Sequence, residues 1–278
     1  MKRIATIQDI SCLGKCSLTV ALPIISATGV EAAIVPTAVL STHTMFSGFT
    51  CKDLNDQITP IAEHWKKEGF TFDAFYTGYL ASKEQIQEVI NLIDNLKSEE
   101  SLVIIDPAMA DNGKLYPAFS QDFPKEMAKL CSKADIVLPN ITEACLLTDT
   151  EYKAEYDREF AQTVIKKIAD MGAKKVVLTG ANFEGNYGVM TYDSEKNEFS
   201  TYFHKKHEKS YHGTGDVFSS TFTGALVRGK SIKESIEIAA DYTAECIRIT
   251  AENNSNWYGV DFESAIPYLV NRLSKDSK

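Results

Sequence analysis

The run Tyr211-His212-Gly213-Thr214-Gly215-Asp216-Val217-Phe218 carries the densest chemical signal in this chain of 278 residues. Two glycines flank one threonine, an aspartate follows, and an apolar-periodic stretch then begins. Glycines let a backbone turn tightly and bring its N–H groups close to a ligand. A helix starting just after them aims those N–H groups, and the positive end of its dipole, at an anion. A carboxylate beside an anion would repel it as a mere charge. It has a use there if it takes a proton from a hydroxyl that attacks a phosphate. The plainer alternative is a helix N-cap, for which Asp is a preferred residue, behind an ordinary Gly-x-Gly loop. These residues alone leave both open.

Other candidates for chemistry fall at the ends of short apolar runs. Leu102 to Ile105 ends in Asp106-Pro107, with Asp111 five positions beyond Asp106, and Ile136 to Leu138 ends in Pro139-Asn140 with Glu143 three further on. Asn140 and Glu143 would share one face of a first helical turn. Oxygen-rich groups beside a phosphate site suit Mg²⁺, which keeps most of its waters and takes few protein contacts. Each group also has an ordinary reading: Asn140 as an N-cap, Glu143 as its capping-box partner, Asp106 as a strand-end turn residue.

The elements that must position these groups follow from periodicity. Apolar runs at Arg3 to Ile7, Glu31 to Pro36, Asp73 to Thr77, Leu102 to Ile105, Ala134 to Leu138 and Lys175 to Thr179 read as strands. Helical patterns at Leu18 to Ala27, Leu54 to Lys67 and Lys83 to Leu96 alternate with the first of them. Short Val/Ile/Leu strands alternating with helices mark a parallel sheet covered on both faces, an α/β fold that binds ligands where its strands end. Asp9 to Gly14 reads as a polar turn and Val39 to Thr50 as a loop. Asn186 to Tyr192 and Glu198 to His204 read as a hairpin, and helices near Val217 to Val227, Ile232 to Ile249 and Phe262 to Leu273 finish the chain. No linker-like tract or repeat divides it, so a single domain over 1–278 is expected.

Several classes are set aside. A net charge of −9 argues against nucleic acid or an anionic membrane as partner. No apolar run approaches the ~20 residues of a membrane span, and Met1 to Asp9 lacks the apolar core of a signal peptide, so a cytoplasmic protein is expected. Six scattered cysteines without a CxxC pair read as small buried hydrophobes. Gly14-Lys15 invites a P-loop reading, but Asp9 stands where the motif needs its first Gly and Cys16 where it needs Ser or Thr. No GxGxxG follows the first strand and no GxSxG occurs.

In order along the chain, the segments resemble the ribokinase superfamily and, within it, the vitamin B6 (pyridoxal/pyridoxine) kinases. Ser41-Thr42-His43-Thr44 is similar to that family's Ser-x-His-Thr substrate loop, and Thr77-Gly78-Tyr79 to its Gly-Tyr strand end. Asp106-Pro107-Ala108-Met109 resembles Asp-Pro-Val-Met, Pro139-Asn140 with Glu143 resembles Pro-Asn-x-x-Glu, and Gly213-Thr214-Gly215-Asp216 matches the superfamily signature. The resemblance implies a three-layer α/β/α sandwich around a mostly parallel sheet. It also implies ATP-dependent phosphorylation of the 5′-hydroxymethyl group of a B6 vitamer.

By the same resemblance Asp216 is the base, and the N–H groups of Gly213, Thr214, Gly215 and Asp216 form an anion hole. Asp106 and Glu143, with Asn140, organise Mg²⁺ and the nucleotide, which Thr179 and Gly180 approach. Asp9 or Ser11, Ser41, His43, Thr44 and Tyr79 contact the substrate ring. The family's Gln-Ser-His-Val start is replaced here by Gln8-Asp9-Ile10-Ser11, and its Gly-Asn pair gives way near Cys16-Ser17. That leaves open which of Asp9 and Ser11 meets the substrate. A homodimer and activation by a monovalent cation such as K⁺ are compatible with the resemblance. The alternatives are a hydroxymethylpyrimidine kinase or another small-molecule hydroxyl kinase of the superfamily, and a non-catalytic ligand sensor on the same fold.

Overall fold

In a computed structural model, residues 1–204, 211–253 and 257–274 are described. The first half of the chain holds β1 (Arg3–Leu13), α1 (Leu18–Ala27), β2 (Glu31–Thr42), β3 (Cys51–Asp53), α2 (Asn55–Lys67), β4 (Ala74–Thr77), α3 (Lys83–Leu96) and β5 (Leu102–Ile105). A two-strand hairpin, β6 (Ala110–Asp111) and β7 (Lys114–Leu115), leads to α4 (Phe123–Cys131), β8 (Ile136–Val137), α5 (Ile141–Leu147) and α6 (Arg158–Asp170). Then come β9 (Lys175–Phe183), β10 (Asn186–Asp193), β11 (Glu198–His204), α7 (Thr214–Arg228), α8 (Ile232–Asn253) and α9 (Phe262–Ser274).

The main sheet runs β11-β10-β9-β8-β5-β4-β1-β2-β3. Its six central strands, β9 through β2, are parallel, while β10, β11 and β3 are antiparallel additions at the two edges. Alternation along each strand splits the apolar residues between two layers. Phe75, Val103, Ile105, Val137 and Leu178 pack under α2 to α6, whereas Tyr76, Ile104, Ile136 and Val177 pack against α1, α7 and α8. A third cluster around Tyr242, Phe262 and Leu269 joins α8 and α9 to α1. The parallel sheet covered on both faces, read from the alternating runs, and the α/β/α sandwich that the resemblance implies are therefore present.

Two expected loops are strand. The turn read at Asp9 to Gly14 is the second half of β1, and the first part of the loop read at Val39 to Thr50 is the end of β2. The ladder continues through Ile10↔Val39, Ser11↔Leu40 and Leu13↔Thr42, after a register shift between Gln8 and Ile10. Polar residues that a one-dimensional pattern assigns to a turn are held extended by a partner strand about thirty positions away. The short hairpin of β6 and β7 was also not expected, although Asn112 and Gly113, at φ 51° and 76°, form the Asn-Gly turn such hairpins favour. The cysteine reading holds for Cys16, Cys131, Cys145 and Cys246, but Cys12 and Cys51 are exposed at strand ends. Among the described residues no helix is long and apolar enough to cross a membrane.

The parallel strands place their polar C-terminal ends along one edge. The chain goes from β1 to β2 on one side and then to β4 on the other, so the order reverses between β1 and β4. Open α/β sheets bind ligands at such a reversal.

Candidate active site

The N-terminus of α7 lies at this edge. Its N-cap is Gly213, at φ 80° and ψ 0°, and no side chain caps the helix. A Cβ on Gly213 would lie 1.8 Å from the Lys15 carbonyl oxygen, so only glycine permits both the left-handed turn and this close approach. The Thr214 hydroxyl donates to the Tyr211 carbonyl at 3.2 Å rather than to the helix. The first N–H groups of α7 therefore end at the cleft without a capping acceptor among the described residues, at the positive end of a fifteen-residue helix.

Asp216 is the third residue of this helix and not its cap. It is partly exposed. Burial of the carboxylate pushes its pKa up to about 7, the charges of Asp106 and Asp9 add to the rise, and an accepted N–H from Ser17 opposes it. A carboxylate poised near neutral pH is suited to general base catalysis. Ser17 supplies that N–H from φ 51° and ψ −137°, a backbone conformation not to be read from a serine in a sequence.

One turn along α7, the Ser219 hydroxyl donates to Asp106 Oδ2 at 2.7 Å. Asp106 is buried just past β5 and also accepts the Ala108 N–H. Asn140 and Glu143 form a complete capping box on α5. Asn140 Oδ1 accepts the Glu143 N–H at 3.0 Å, and Glu143 Oε2 accepts the Asn140 N–H at 2.9 Å. Glu143 Oε1 further accepts the Met109 N–H at 3.1 Å, and Asn140 Nδ2 donates to the Ala110 carbonyl at 2.8 Å. The whole Asn140 side chain is thus engaged within the protein. Burial raises both Asp106 and Glu143 above the usual carboxylate range, and for Glu143 the Asp106 charge adds to it.

Partly exposed Asp216 and buried Asp106 and Glu143 thus form an acidic group, and among the described residues no Lys or Arg pairs with any of them. Such an acidic group suits a divalent cation that keeps most of its water. No group of three or more His, Cys, Asp or Glu gathers at ligating distance among the described residues. Asp111 stands apart: it is exposed and holds the Asn112 turn through its backbone N–H and side-chain amide.

Thr179 and Gly180 lie further along the same edge. Thr179 donates its N–H to the Pro139 carbonyl at 2.8 Å and its hydroxyl to the same oxygen at 3.3 Å. Gly180 has φ 62° where the register between β9 and β10 shifts.

Across the cleft, Asp9 and Ser11 share one face of β1 and are both buried, with Ser11 Oγ donating to Asp9 Oδ2 at 3.1 Å. Tyr79, just past β4, is partly exposed; burial and then the Asp9 charge push its pKa to about 12. His43 is buried with both nitrogens committed. Nε2 donates to the Tyr258 carbonyl at 3.0 Å, and Nδ1 accepts the Met45 N–H at 3.3 Å. That assigns a neutral ring, and burial lowers its pKa. Its face meets His212 at 4.5 Å and Phe46 at 4.9 Å, with the Trp257 ring at 6.4 Å. His43 therefore contributes an aromatic wall rather than a free nitrogen. Ser41 is exposed and fastens the base of its loop, accepting the Thr50 N–H at 2.9 Å, while Thr44 is exposed on that loop.

Sequence reasoning missed Ser17, Ser219 and the aromatic wall. Ser219 had a readable signal, since it stands three positions after Asp216 on one helical face. The wall did not, because it joins rings from 43–46, 212 and 257–258.

A parallel three-layer sheet with a glycine-led helix N-terminus at its carboxyl edge defines the class of ribokinase-like small-molecule kinases. Within that class, the chain belongs to the phosphomethylpyrimidine kinase family, whose model matches residues 22–261. A crystal structure of a candidate phosphomethylpyrimidine kinase from Bacteroides thetaiotaomicron superposes with a TM-score of 0.93 at 36% identity, covering 96% of this chain and 93% of that one. The same protein has a second crystal form with pyridoxal. Pyridoxal kinase from Lactobacillus plantarum superposes with a TM-score of 0.90 at 26% identity, with both chains covered in full. A hydroxymethylpyrimidine/phosphomethylpyrimidine kinase from Aquifex aeolicus is 29% identical over 199 residues, 70% of this chain and 74% of that protein. The chain is a kinase of the pyridoxal and hydroxymethylpyrimidine kinase family, one that uses ATP on a small-molecule substrate.

Proposed function

We propose that this kinase phosphorylates the 5′-hydroxymethyl group of a vitamin B6 ring, pyridoxal, pyridoxine or pyridoxamine, with ATP as donor. The observation that carries the reading is Asp216 at the uncapped start of α7, a partly buried carboxylate beside free helix N–H groups. Asp216 accepts the hydroxyl proton as the hydroxyl oxygen forms its bond to the γ-phosphorus. The bond from that phosphorus to the bridging oxygen breaks, and ADP leaves with the electron pair. The N–H groups of Thr214, Gly215 and Asp216 face the negative charge on the transferring group, which fixed dipoles stabilise without reorganisation. Asp106 and Glu143, largely through water, would hold Mg²⁺, which when bound with the nucleotide neutralises phosphate charge. Thr179 and Gly180 border the nucleotide in this reading, and Asp9, Ser11, Tyr79 and the His43 wall border the ring.

The choice of a B6 ring is supported by likeness over nearly the full length to a protein crystallised with pyridoxal and to a pyridoxal kinase. A hydroxymethylpyrimidine kinase is the second reading, supported by the family model and the Aquifex relative. ADP release with ATP and Mg²⁺, measured across the three B6 vitamers and hydroxymethylpyrimidine, decides between them. The highest kcat/KM is expected on a B6 vitamer; a clear preference for the pyrimidine reverses the assignment, and release with neither refutes both.

A further inference from the structure

Opposite Asp216 in the cleft lies a second carboxylate that the phosphoryl transfer does not use. Asp9 is 4% exposed and sits on β1 where two residues of β2, Thr37 and Ala38, oppose it in the shifted register. Its donors are neutral: the hydroxyls of Ser11 and Ser17 and its own backbone N–H. Among the described residues no Lys or Arg forms an ion pair with it. The nearby imidazole of His43 has both nitrogens committed to Tyr258 and Met45. Burying a carboxylate is costly unless charge or hydrogen bonds offset it, and a carboxylate has about four acceptor positions. Two hydroxyls and one N–H leave part of that capacity for another donor. The groups within electrostatic reach are those of the cleft itself: Tyr79, Cys16, Cys51, His43 and Asp216.

We infer that Asp9 is a specificity determinant, accepting an N–H from a protonated ring nitrogen or ring amino group of the acceptor. The site thereby selects nitrogen heteroaromatics that carry such a donor over benzenoid rings of the same shape. Ser11 and Ser17 act as positioning residues that hold the carboxylate toward the ring. Of the two candidates at the end of β1, Asp9 meets the substrate and Ser11 supports it. This inference rests on the kinase reading for the location of the acceptor and deepens it by naming the feature that is recognised.

The test is calorimetric binding of pyridoxine and of its benzenoid isostere, in which carbon replaces the ring nitrogen, to the full-length protein. The wild type is expected to bind pyridoxine about 10- to 100-fold more tightly, the scale of a hydrogen bond to a charged group. Asp9→Asn keeps an acceptor for the serine hydroxyls but lacks the charge. It should weaken pyridoxine alone and bring the two rings within a few-fold of each other. Wild-type protein that binds pyridoxine and isostere equally, or binds neither, overturns the inference without any variant. So does an Asp9→Asn protein that keeps the wild-type ratio. ADP release is measured separately, so selective binding without turnover would count against the kinase reading and leave the role of Asp9 standing.

Discussion

Two helices begin at the carboxyl edge of this sheet, and each carries an acid at its third position. On α5 the acid is Glu143, and behind an Asn140 cap it turns back to close a capping box. On α7 the acid is Asp216, and behind a Gly213 cap it has no side-chain partner to close with. The same position therefore yields a sealed helix end in one case and one without a side-chain cap in the other. The difference lies in the cap residue. Asn140 satisfies helix donors with its own side chain, whereas Gly213 has none and instead allows the backbone to pass against Lys15. Glu143 is held in a fixed position, while Asp216 among the described residues receives only the Ser17 N–H and stays poised near neutral pH.

The comparison breaks most sharply at Asp216. Asp216→Asn should lower kcat on the order of 10²–10⁴-fold, the usual contribution of a general base. In the wild type, kcat/KM should fall as pH drops below about 7, where the base becomes protonated. Near-normal turnover by the Asn variant removes Asp216 from the chemistry. Stability runs the other way. A carboxylate whose folded pKa lies above its unfolded value of about 4 binds its proton more firmly in the native state, so stability falls as pH rises through that window. The Asn variant should melt above the wild type at pH 8, with the gap closing toward pH 4.

Gly213→Ala comes next. The new methyl group meets the Lys15 carbonyl from a left-handed backbone, at a cost of about 1–3 kcal/mol. Urea denaturation should report that loss, and ADP release should fall with it. A variant as stable and active as the wild type would show that the turn tolerates a Cβ. Glu143→Gln then separates sealing from charge on α5, because Gln also completes a capping box. The single amide oxygen keeps the Asn140 N–H but leaves the buried Met109 N–H without an acceptor, so denaturation should show a loss of about 1–3 kcal/mol, while the Mg²⁺ concentration for half-maximal activity rises by about 10-fold, the scale of lost outer-sphere partners. An unchanged metal titration takes Glu143 away from the cation. Smallest is Asn140→Ala, which should cost about 1 kcal/mol as an ordinary cap loss. Denaturation that matches the wild type would mean that α5 is held by packing alone.

Much of the sheet and its helices was legible because buried parallel strands are short unbroken runs of Val, Ile and Leu. Leu102–Ile105 and Lys83–Leu96 were read at their observed bounds for this reason. The carboxyl ends of β1 and β2 were not, since Asp9, Ser11 and Ser41 are extended only through pairing with distant residues. In the site, the Asn140 and Glu143 pair was readable as a capping box from its spacing. The lack of a side-chain cap on α7 was not, because Asp216 offers a preferred capping residue and only the fold shows that Gly213 occupies the position. Ser17 was beyond reach altogether, its role resting on a backbone N–H and a left-handed φ.

Lys15, half of a failed phosphate-loop motif, links the cleft to the far end of the chain. Its carbonyl lies against Gly213, and its ammonium group pairs with Asp261 at 3.2 Å and Glu263 at 2.6 Å. The first of these bonds joins residues 246 positions apart. Contacts of such separation close almost the whole chain into a loop, which costs conformational entropy and slows their formation. The parallel strands pair across shorter stretches of chain, whereas the backbone behind the start of α7 is tied to both ends of the polypeptide, so this contact is expected to form late in folding.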